Sequence, residues 1–320
     1  MPVDSSSDSV ALARQAWFIS GATASGKTEL AMALAGVLNA EILSLDSMAV
    51  YRGMDIGTAK PTPKQRQAVP HHLLDLVEPT EEYSVSQYVD DATIAMQQIR
   101  ERGRTPLFVG GTPLYLKSLL RGIFEGPPAD WEFREQVEQE VQQVGLQALH
   151  QRLMQVDPLS AEKLHPNDKR RIVRALEVYK LTGSPISHLQ LQFDQGLPAA
   201  RCRVFVLQWA RPVLHQRIDR RVEAMFAAGL CDEAAALLEK HSELSRTAAQ
   251  AVGYQEAFDH LRGETSLTDA IETVKARTRQ FARRQETWFR SLSECRILTL
   301  EEEVNPQELA QQIAAAGAAI

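Results

Sequence analysis

Short runs of apolar residues alternate along the chain with longer segments in which apolar residues recur every three or four positions. The short runs are bounded by turn-forming residues and occupy positions 16–20, 41–45, 107–109, 204–209 and 296–300. Each run has the length of a strand, and the segments between them have helical periodicity. This alternation predicts an α/β fold with a parallel sheet flanked by helices.

The segment 126–183 interrupts this alternation because it contains helical patterns and no strand candidate. Its first helix is indicated by apolar residues at helical spacing, which are Val137, Val141, Val144, Leu149, Leu153 and Val156. A second helix is predicted to begin at Asn167 as its N-cap and to end at Gly183. We expect that helix to bury Ile172, Leu176 and Tyr179.

We therefore predict two domains. A helical insertion spans 126–198, between Pro127-Pro128 and the Gly196–Pro198 stretch, and a core domain is formed by 1–125 and 199–320. Helical patterns return in the core at 212–240 and 267–290.

The composition is that of a globular protein, since 44% of the 320 residues are hydrophobic and 24% are charged. No run approaches the ~18 apolar residues of a membrane span, and the first residues lack the pattern of a signal peptide. We expect a cytoplasmic monomer that does not enter a membrane. Cys202, Cys231 and Cys295 are too few and too far apart for a disulfide framework or a zinc site, so we expect reduced core residues.

The charge balance is acidic, with 35 Lys and Arg against 41 Asp and Glu, a net charge of −6. This balance argues against a protein that binds nucleic acid over its whole surface. It does not exclude a local basic groove.

The strongest motif runs from Gly21 to Thr28 and has the G-x-x-x-x-G-K-[ST] spacing of a phosphate-binding loop. An apolar strand precedes it and a helical pattern follows, as this motif requires. Backbone N–H groups of such a loop wrap a phosphate at the positive end of a helix. The loop residues Gly21, Ala22, Thr23, Ala24, Ser25, Gly26, Lys27 and Thr28 therefore predict a P-loop NTPase-like core that binds a diphosphate or triphosphate. Lys27 supplies a point charge, and the Thr28 hydroxyl can ligate Mg²⁺.

Two further candidates follow predicted strands. Asp46 comes directly after the second run, at the strand end where ligands bind in open α/β sheets. Its carboxylate could accept a proton from a nucleophile, while an Asx turn or helix cap is the alternative. Thr112 follows paired glycines after the third run, where a plain turn is the alternative.

Two arginines four positions apart, Arg217 and Arg221, would face one side of a predicted helix, where a guanidinium could neutralise a departing phosphate. A solvated helix face is the alternative. His71 and His72 would point apart in an extended segment, so we favour a structural role over a metal site.

Basic residues gather in two places, at 169–174 and along the pattern at 275–290, which also carries Trp288 and Phe289. Clustered arginines beside aromatic residues suit backbone contacts and base stacking in RNA. A merely solvated basic helix is the alternative.

The order of the motifs resembles one family, the tRNA dimethylallyltransferases of the bacterial type. The resemblance covers about residues 16 to 291. It is carried by Gly21 to Thr28, Asp46-Ser47, Tyr51 to Pro61, Val109 to Thr112, His165 to Asp168 with Arg170-Arg171, Val252 to Tyr254, and Arg283 to Arg290.

The resemblance implies transfer of a dimethylallyl group from dimethylallyl diphosphate to the exocyclic N6 amine of the adenosine 3′ to the tRNA anticodon. In that family the phosphate loop holds the diphosphate of the prenyl donor and not ATP. Thr28 and Lys27 with Arg221 would stabilise the leaving diphosphate, Mg²⁺ would bind at Thr28, and Asp46 would hydrogen-bond or deprotonate the amine.

The resemblance also implies a set of tRNA-contacting positions. They are Asp46, Ser47, Met48, Ala49, Thr112, Arg134, Asn167, Asp168, Lys169, Arg170, Arg171, Gln250, Ala251, Val252, Gly253, Tyr254, Gln255, Arg283, Arg284, Gln285, Glu286, Thr287, Trp288, Phe289 and Arg290. The chain departs from the family pattern at Ala22, Ala49 and Pro113, where proline, glutamine and glycine are common. The last two departures affect the expected recognition of the base.

Other functions share some of these motifs. A kinase that uses ATP would also need the phosphate loop and Asp46, but not the Tyr51 to Pro61 segment or the basic helix. A prenyltransferase acting on free adenine nucleotides is a closer alternative. A noncatalytic RNA-binding module would have no need for Lys27, Thr28 and Asp46 together.

Overall fold

The computed structural model describes residues 5–124, 126–190, 196–301 and 304–320. Within these ranges, six parallel strands form one sheet in the order β3-β2-β4-β1-β5-β6. The strands are β1 (Trp17–Gly21), β2 (Ala40–Ser44), β3 (His71–His72), β4 (Thr105–Gly110), β5 (Val204–Trp209) and β6 (Cys295–Leu300). The predicted α/β class and the predicted strand positions are confirmed, and the short strand β3 is an addition.

Helices occupy most of the remaining described residues. They are α1 (Ser5–Arg14), α2 (Lys27–Leu38), α3 (Pro63–Ala68), α4 (Val85–Glu101), α5 (Pro113–Arg121), α6 (Trp131–Val156), α7 (Pro158–Lys163), α8 (Lys169–Thr182), α9 (Ile186–Leu189), α10 (Arg211–Ala227), α11 (Leu230–Lys240), α12 (Arg246–Ala249), α13 (Tyr254–Leu261), α14 (Leu267–Ser291) and α15 (Pro306–Ala318). No helix in the described ranges combines the length and apolarity that a membrane crossing needs.

The sheet is covered on both faces because neighbouring residues of a strand point to opposite sides. Ile19 of β1 packs in one apolar cluster with Leu34 of α2. The adjacent Phe18 packs in a second cluster and stacks on Phe108 of β4, with ring centroids 4.8 Å apart. Such two-sided burial explains why the central strands are almost continuously apolar.

The chain divides into two compact units. The first comprises Met1–Leu120 and Gly196–Ile320 and contains the sheet, and the second comprises Arg121–Gln195 and is helical in its described part. A separate apolar core in the second unit includes Val137, Leu149, Leu153 and Ile172.

Several local details of the second unit differ from the sequence prediction. Asp168, and not Asn167, caps α8, since its carboxylate accepts from the Arg171 N–H. Tyr179 is only half-buried, whereas its neighbour Val178 is fully buried. Val144 is exposed because Gly145, with φ of 80°, interrupts α6 beside it and turns that position away from the core.

The helical pattern at 212–240 forms two helices, α10 and α11. Gly229 has a left-handed φ of 97° and separates α10 from α11. Of the cysteines, Cys202 is buried as expected, while Cys231 and Cys295 are only partly buried, and none forms a disulfide.

The two histidines lie in β3. His72 Nε2 contacts Glu41 Oε2 at 2.7 Å, and His71 Nδ1 contacts the Val69 carbonyl at 2.7 Å. Both rings therefore have protein partners at the sheet edge.

Candidate active site

The carboxyl ends of four parallel strands meet at one edge of the sheet, and the candidate residues follow them directly. Ser20 of β1 lies opposite Gly110 of β4, Gly21 lies opposite Leu207 of β5, and Ser44 of β2 lies opposite Val109. Loops leaving these strands are therefore neighbours. This is the edge at which open α/β sheets bind ligands.

The phosphate loop connects β1 to α2 and depends on glycine at two positions. Gly21 has φ of 146°, and a Cβ there would lie 2.7 Å from the Leu207 carbonyl oxygen. Gly26 has φ of 90° and caps the N-terminus of α2. Side chains are strained in these conformations, so the motif's glycines follow from the backbone path. The N–H groups of the first helical turn form an anion-binding terminus there, beside Thr28, which is exposed.

Lys27 folds back over the loop. Its ammonium donates to the carbonyl oxygens of Gly21 at 3.0 Å and Ala22 at 2.6 Å. Burial, together with the charge of Arg221, lowers the pKa of Lys27 to about 7, against a smaller opposing effect of Asp46. Without an anion, this ammonium is therefore poised to lose its proton near neutral pH.

Two side chains hold the loop from outside. Trp209, at the end of β5, donates from its indole Nε1 to the Ser25 carbonyl at 2.9 Å. Arg217 donates from Nε to the Ala24 carbonyl at 2.8 Å, and its guanidinium lies 4.7 Å from the centre of the Trp209 ring. Trp209 was not among the predicted site residues, although its place at a strand end beside the loop is the signal that could have identified it.

The arginines of α10 differ in role: some support the fold, and one faces the candidate site. Arg217 is bound to the loop, and Arg220 is exposed. Burial lowers the pKa of Arg221, while the charge of Asp46 raises it, so Arg221 lies within electrostatic reach of both Asp46 and Lys27. Of the arginines on this helix, Arg221 is therefore the one that faces the predicted catalytic groups.

Asp46 forms a turn and keeps part of its carboxylate free of it. Oδ1 accepts from the Met48 N–H at 2.8 Å and from the Ala49 N–H at 3.4 Å, which is an Asx turn. Oδ2 has no hydrogen bond within the residues that the structure describes. The Thr112 hydroxyl accepts from the Ser47 N–H at 3.1 Å and joins this turn to the one after β4. Turn formation and a chemical role are therefore compatible at Asp46.

The Tyr51 to Pro61 segment is held by charged side chains, of which Lys60 is buried. The Glu233 carboxylate of α11 accepts from the backbone N–H groups of residues 55, 56 and 57 and from the Tyr254 hydroxyl. Lys60 donates to the Tyr51 carbonyl at 2.6 Å and to the carboxylates of Asp55 and Asp75 at 2.7 and 2.6 Å. No motif points to Glu233, because the backbone groups that it binds lie more than 170 positions away and Tyr254 lies on another helix.

A cleft of about 600 Å³ opens beside this segment. Its lining includes the apolar side chains of Ile56, Pro61 and Met225 together with Arg221. The lining also includes the charged side chains of Asp55, Lys60, Arg66 and Asp75, so the cleft presents apolar surface beside charges of both signs.

Several residues expected to contact RNA are instead buried in the protein. Tyr254 is fully buried and donates to Glu233, which also places its ring against Gly57. Ala49, Ala251 and Gly253 are also buried, whereas Gln250 is exposed. The Val252 to Tyr254 motif therefore supports the fold of the Tyr51 to Pro61 segment.

Helix α14 carries its basic residues in two groups. In the first group, Lys275 pairs with Glu223 and Glu272, Arg277 with Glu256, and Arg279 with Asp219. In the second group, Arg283, Arg284 and Arg290 are exposed and have no ion pair within the described ranges.

The aromatic and amide residues of that second group differ in burial. Trp288 is half-buried, but Phe289 lies in the core at 1% exposure and is not available for base stacking. Gln285 is also buried. Fewer residues of the 283–290 segment are therefore exposed for contact with RNA than the sequence suggested.

In the second unit, the Asn167 to Arg171 stretch is largely at the surface, with Arg170 exposed and Arg171 paired with Asp168. Lys169 pairs with Glu138. Arg134 instead forms a bidentate contact with the fully buried Glu177, at 2.7 and 2.9 Å. Burial opposes the charged form of Glu177, but hydrogen bonds from Arg134 and Arg174 hold its pKa below the usual value. Arg134 therefore has a structural partner.

Comparison with known families gives two matches. The IPP transferase family matches residues 49–292, which is more than half of the chain, and the isopentenyl transferase family matches residues 14–82.

Individual relatives agree with these matches. A tRNA dimethylallyltransferase of Rhodopirellula baltica is 53% identical over 288 residues, covering 88% of this chain and 86% of the relative. One from Pelotomaculum thermopropionicum is 42% identical, covering 92% of this chain and 94% of the relative.

Solved structures share the fold. The full-length tRNA isopentenylpyrophosphate transferase of Bacillus halodurans is 40% identical with a TM-score of 0.68, covering 95% of this chain and 97% of the other. A eukaryotic dimethylallyltransferase acting on tRNA is 28% identical with a TM-score of 0.69, covering 92% and 75% of the two chains.

Proposed function

Because the chain belongs to the IPP transferase family of tRNA dimethylallyltransferases, we infer that it is a prenyltransferase that modifies tRNA. It transfers a dimethylallyl group from dimethylallyl diphosphate to the exocyclic N6 amine of the adenosine 3′ to the anticodon. The observation that carries this function, beside the family match, is the meeting of the phosphate loop, Arg221 and Asp46 at one sheet edge.

In the proposed reaction, a bond forms between N6 of adenosine and the terminal allylic carbon while the bond from that carbon to the diphosphate oxygen breaks. The departing diphosphate takes the bonding electrons, and the proton leaves N6. We assign stabilisation of that diphosphate to the N–H groups of residues 21–28, to Lys27 and to Arg221, because Lys27 belongs to the loop and Arg221 lies within electrostatic reach of Lys27. Binding of an anion would also favour the charged form of Lys27.

Asp46 is proposed to receive the N6 proton or to orient the amine by a hydrogen bond. Its Oδ2 is free of the Asx turn that fixes the carboxylate, and its charge acts on Lys27 and Arg221. A fixed carboxylate near the anion site can serve this role because proton transfer depends first on geometry. The target base must leave its stack to reach it.

Mg²⁺ is proposed as the metal of the reaction. The described residues contain no cluster of three His, Cys, Asp or Glu side chains that could hold a metal alone. They do place the Thr28 hydroxyl at the exposed N-terminus of α2, where Mg²⁺ could share its ligands among Thr28, the diphosphate and waters, as this ion prefers. When bound, Mg²⁺ would neutralise charge on the diphosphate.

Contacts with the anticodon arm are proposed for the exposed cations. Arg283, Arg284 and Arg290 on α14 and Arg170 and Arg171 on α8 lie at the surface. Arg171 is paired with Asp168, but its side chain remains exposed, and cations at the surface can contact phosphates. The cytoplasm, where tRNA is modified, is the proposed location, and a monomer is the proposed state.

The test is incubation of the protein with dimethylallyl diphosphate, Mg²⁺ and unmodified tRNA. We expect N6-dimethylallyladenosine in the tRNA. Phosphotransfer from ATP without that product would instead indicate a kinase, and preferential prenylation of AMP in competition with tRNA would indicate an adenine-nucleotide prenyltransferase. Light scattering of the same preparation checks the monomer.

A further inference from the structure

The side chain of Gln285 lies between the phosphate loop and the turn after β4. It is 5% exposed, and both ends of its amide are used. Oε1 accepts from the Thr23 N–H at 3.0 Å, and Nε2 donates to the Gly111 carbonyl at 2.5 Å. A buried amide with both groups satisfied fixes the two backbones to which it binds.

The space around this amide is tight. A Cβ on Gly111 would lie 2.5 Å from Gln285 Nε2 and 3.1 Å from the Gly21 carbonyl oxygen. Glycine at 111 therefore allows the turn, the phosphate loop and Gln285 to meet at one point. This close approach explains why glycine, the second of the paired glycines, occupies position 111.

From Gly111 the connection continues to the acceptor side of the site. The Thr112 N–H donates to the Leu45 carbonyl at 3.1 Å, and the Thr112 hydroxyl accepts from the Ser47 N–H at 3.1 Å. Ser47 follows Asp46 directly. Hydrogen bonds thus link the phosphate loop to Gln285 and Gln285 to Gly111. The next residue, Thr112, is linked by hydrogen bonds to the turn that carries Asp46.

We propose that Gln285 is a positioning residue that sets the separation between the diphosphate loop and the Asp46 turn. This proposal rests on the proposed function. A transfer reaction requires the leaving group and the proton acceptor to be held at the correct distance on opposite sides of the reacting carbon. In this role Gln285 acts through the two loops that it joins and not by direct contact with a substrate.

Loss of a positioning residue should lower kcat and leave substrate affinity nearly unchanged, whereas loss of a purely structural residue would not affect the two differently. Trp209, Arg217 and Lys27 still hold the phosphate loop when Gln285 is replaced, so diphosphate binding should persist. The exposed cations that we assign to tRNA are likewise unchanged. What changes is the placement of the phosphate loop relative to the Asp46 turn, and kcat depends on this placement.

The first variant is Gln285→Met, which keeps the length of the side chain and removes both hydrogen bonds. We expect kcat to fall about 10- to 100-fold, since a displacement of about 1 Å can cost that much. The dissociation constants for inorganic pyrophosphate and for tRNA should change less than about threefold. Gln280→Met, at an exposed position of the same helix, is the matched control and should keep the kcat of the wild type.

The second variant, Gln285→Glu, gives a pH signature that remains useful if Gln285→Met does not fold. A protonated carboxyl can accept from Thr23 and donate to the Gly111 carbonyl, as the amide does, whereas an ionised one repels that oxygen. Burial raises the pKa of such a carboxyl. The ratio of variant to wild-type kcat should therefore rise as the pH is lowered from about 8 to about 6, and the ratio for Gln280→Glu should stay flat.

A Gln285→Met enzyme that melts at a lower temperature but keeps wild-type kcat when folded would overturn the positioning role. A flat pH ratio for Gln285→Glu, or losses in pyrophosphate and tRNA affinity as large as the loss in kcat, would do the same. Any of these three results leaves the proposed function intact because the wild type still forms product. A wild type that forms no prenylated tRNA overturns the function and this role together.

Discussion

Asp46 uses one carboxylate oxygen for its own turn and has the other free of it. Replacement by Asn keeps an oxygen for the Met48 N–H but removes the charge. We expect Asp46→Asn to lower kcat about 100- to 10,000-fold, the range for loss of a general base, with a tRNA dissociation constant close to that of the wild type. Single-turnover prenylation and filter binding measure the two quantities.

Asp46→Ala is the matched comparison because it removes the turn as well as the charge. Its extra loss in tRNA affinity relative to Asp46→Asn reports the contribution of the turn. If Asp46→Asn lost affinity and kcat by equal factors, the carboxylate would act in binding and not in catalysis.

Lys27 gives the site a dependence on pH. Burial and Arg221 lower its pKa to about 7 in the free protein, so the ammonium is increasingly neutral above that pH. An anion in the loop favours the charged form, so affinity for inorganic pyrophosphate should fall as the pH is raised from about 7 to about 9. Isothermal titration calorimetry at several pH values checks this, in buffers of different ionisation enthalpy.

The control for this prediction is Lys27→Met, which has no ammonium to titrate. Pyrophosphate itself titrates in the same range, and its contribution is the same for both proteins. The wild-type affinity should therefore fall more steeply with pH than that of the variant. Parallel pH profiles would exclude Lys27 as the titrating group.

At the scale of elements, helix α14 combines two functions along its length. Its first basic group is neutralised by carboxylates of neighbouring elements, and its second group is exposed. We expect Arg283→Ala to weaken tRNA binding and to reduce the slope of log K against log salt by about 0.7 to 1, the value for one lost phosphate contact. Fluorescence anisotropy over a series of salt concentrations gives that slope.

Arg279→Ala is the matched control on α14, because Arg279 is paired with Asp219 at 2.6 Å. It should leave the salt slope unchanged and alter the free energy of unfolding by at most about 1 kcal/mol, as for other partly exposed pairs. Equal changes in salt slope for both variants would contradict the distinction between paired and exposed basic residues on α14.

At the scale of the whole molecule, a net charge of −6 limits attraction for RNA in general. Exposed cations on α14 and α8 provide local attraction within an acidic protein. We expect an unrelated RNA hairpin to bind at least about tenfold more weakly than substrate tRNA at physiological salt, with both affinities rising as salt is lowered. Competition binding at two salt concentrations measures the ratio, and equal affinities would show that shape and sequence contribute nothing.

The sequence by itself determined most of the elements and the candidate groups for the chemistry. Apolar periodicity predicted the α/β sheet and the long helices, because burial of one or both faces imposes that period. Gly21, Gly26 and Lys27 identified the phosphate loop, since a backbone with positive φ at the two glycines leaves little choice of residue. The place of Asp46 at a strand end made it a candidate, helix spacing did the same for Arg217 and Arg221 together, and the family resemblance favoured Arg221.

Only the tertiary structure decided which side chains hold the site together and which remain open to RNA. Gln285, 262 positions from Thr23, has the same local sequence signal as the exposed residues beside it. Glu233, Tyr254 and Phe289 likewise acquire their partners from distant segments. A hydrogen bond between remote residues depends on where the fold brings two backbones, and neither periodicity nor a motif records that position.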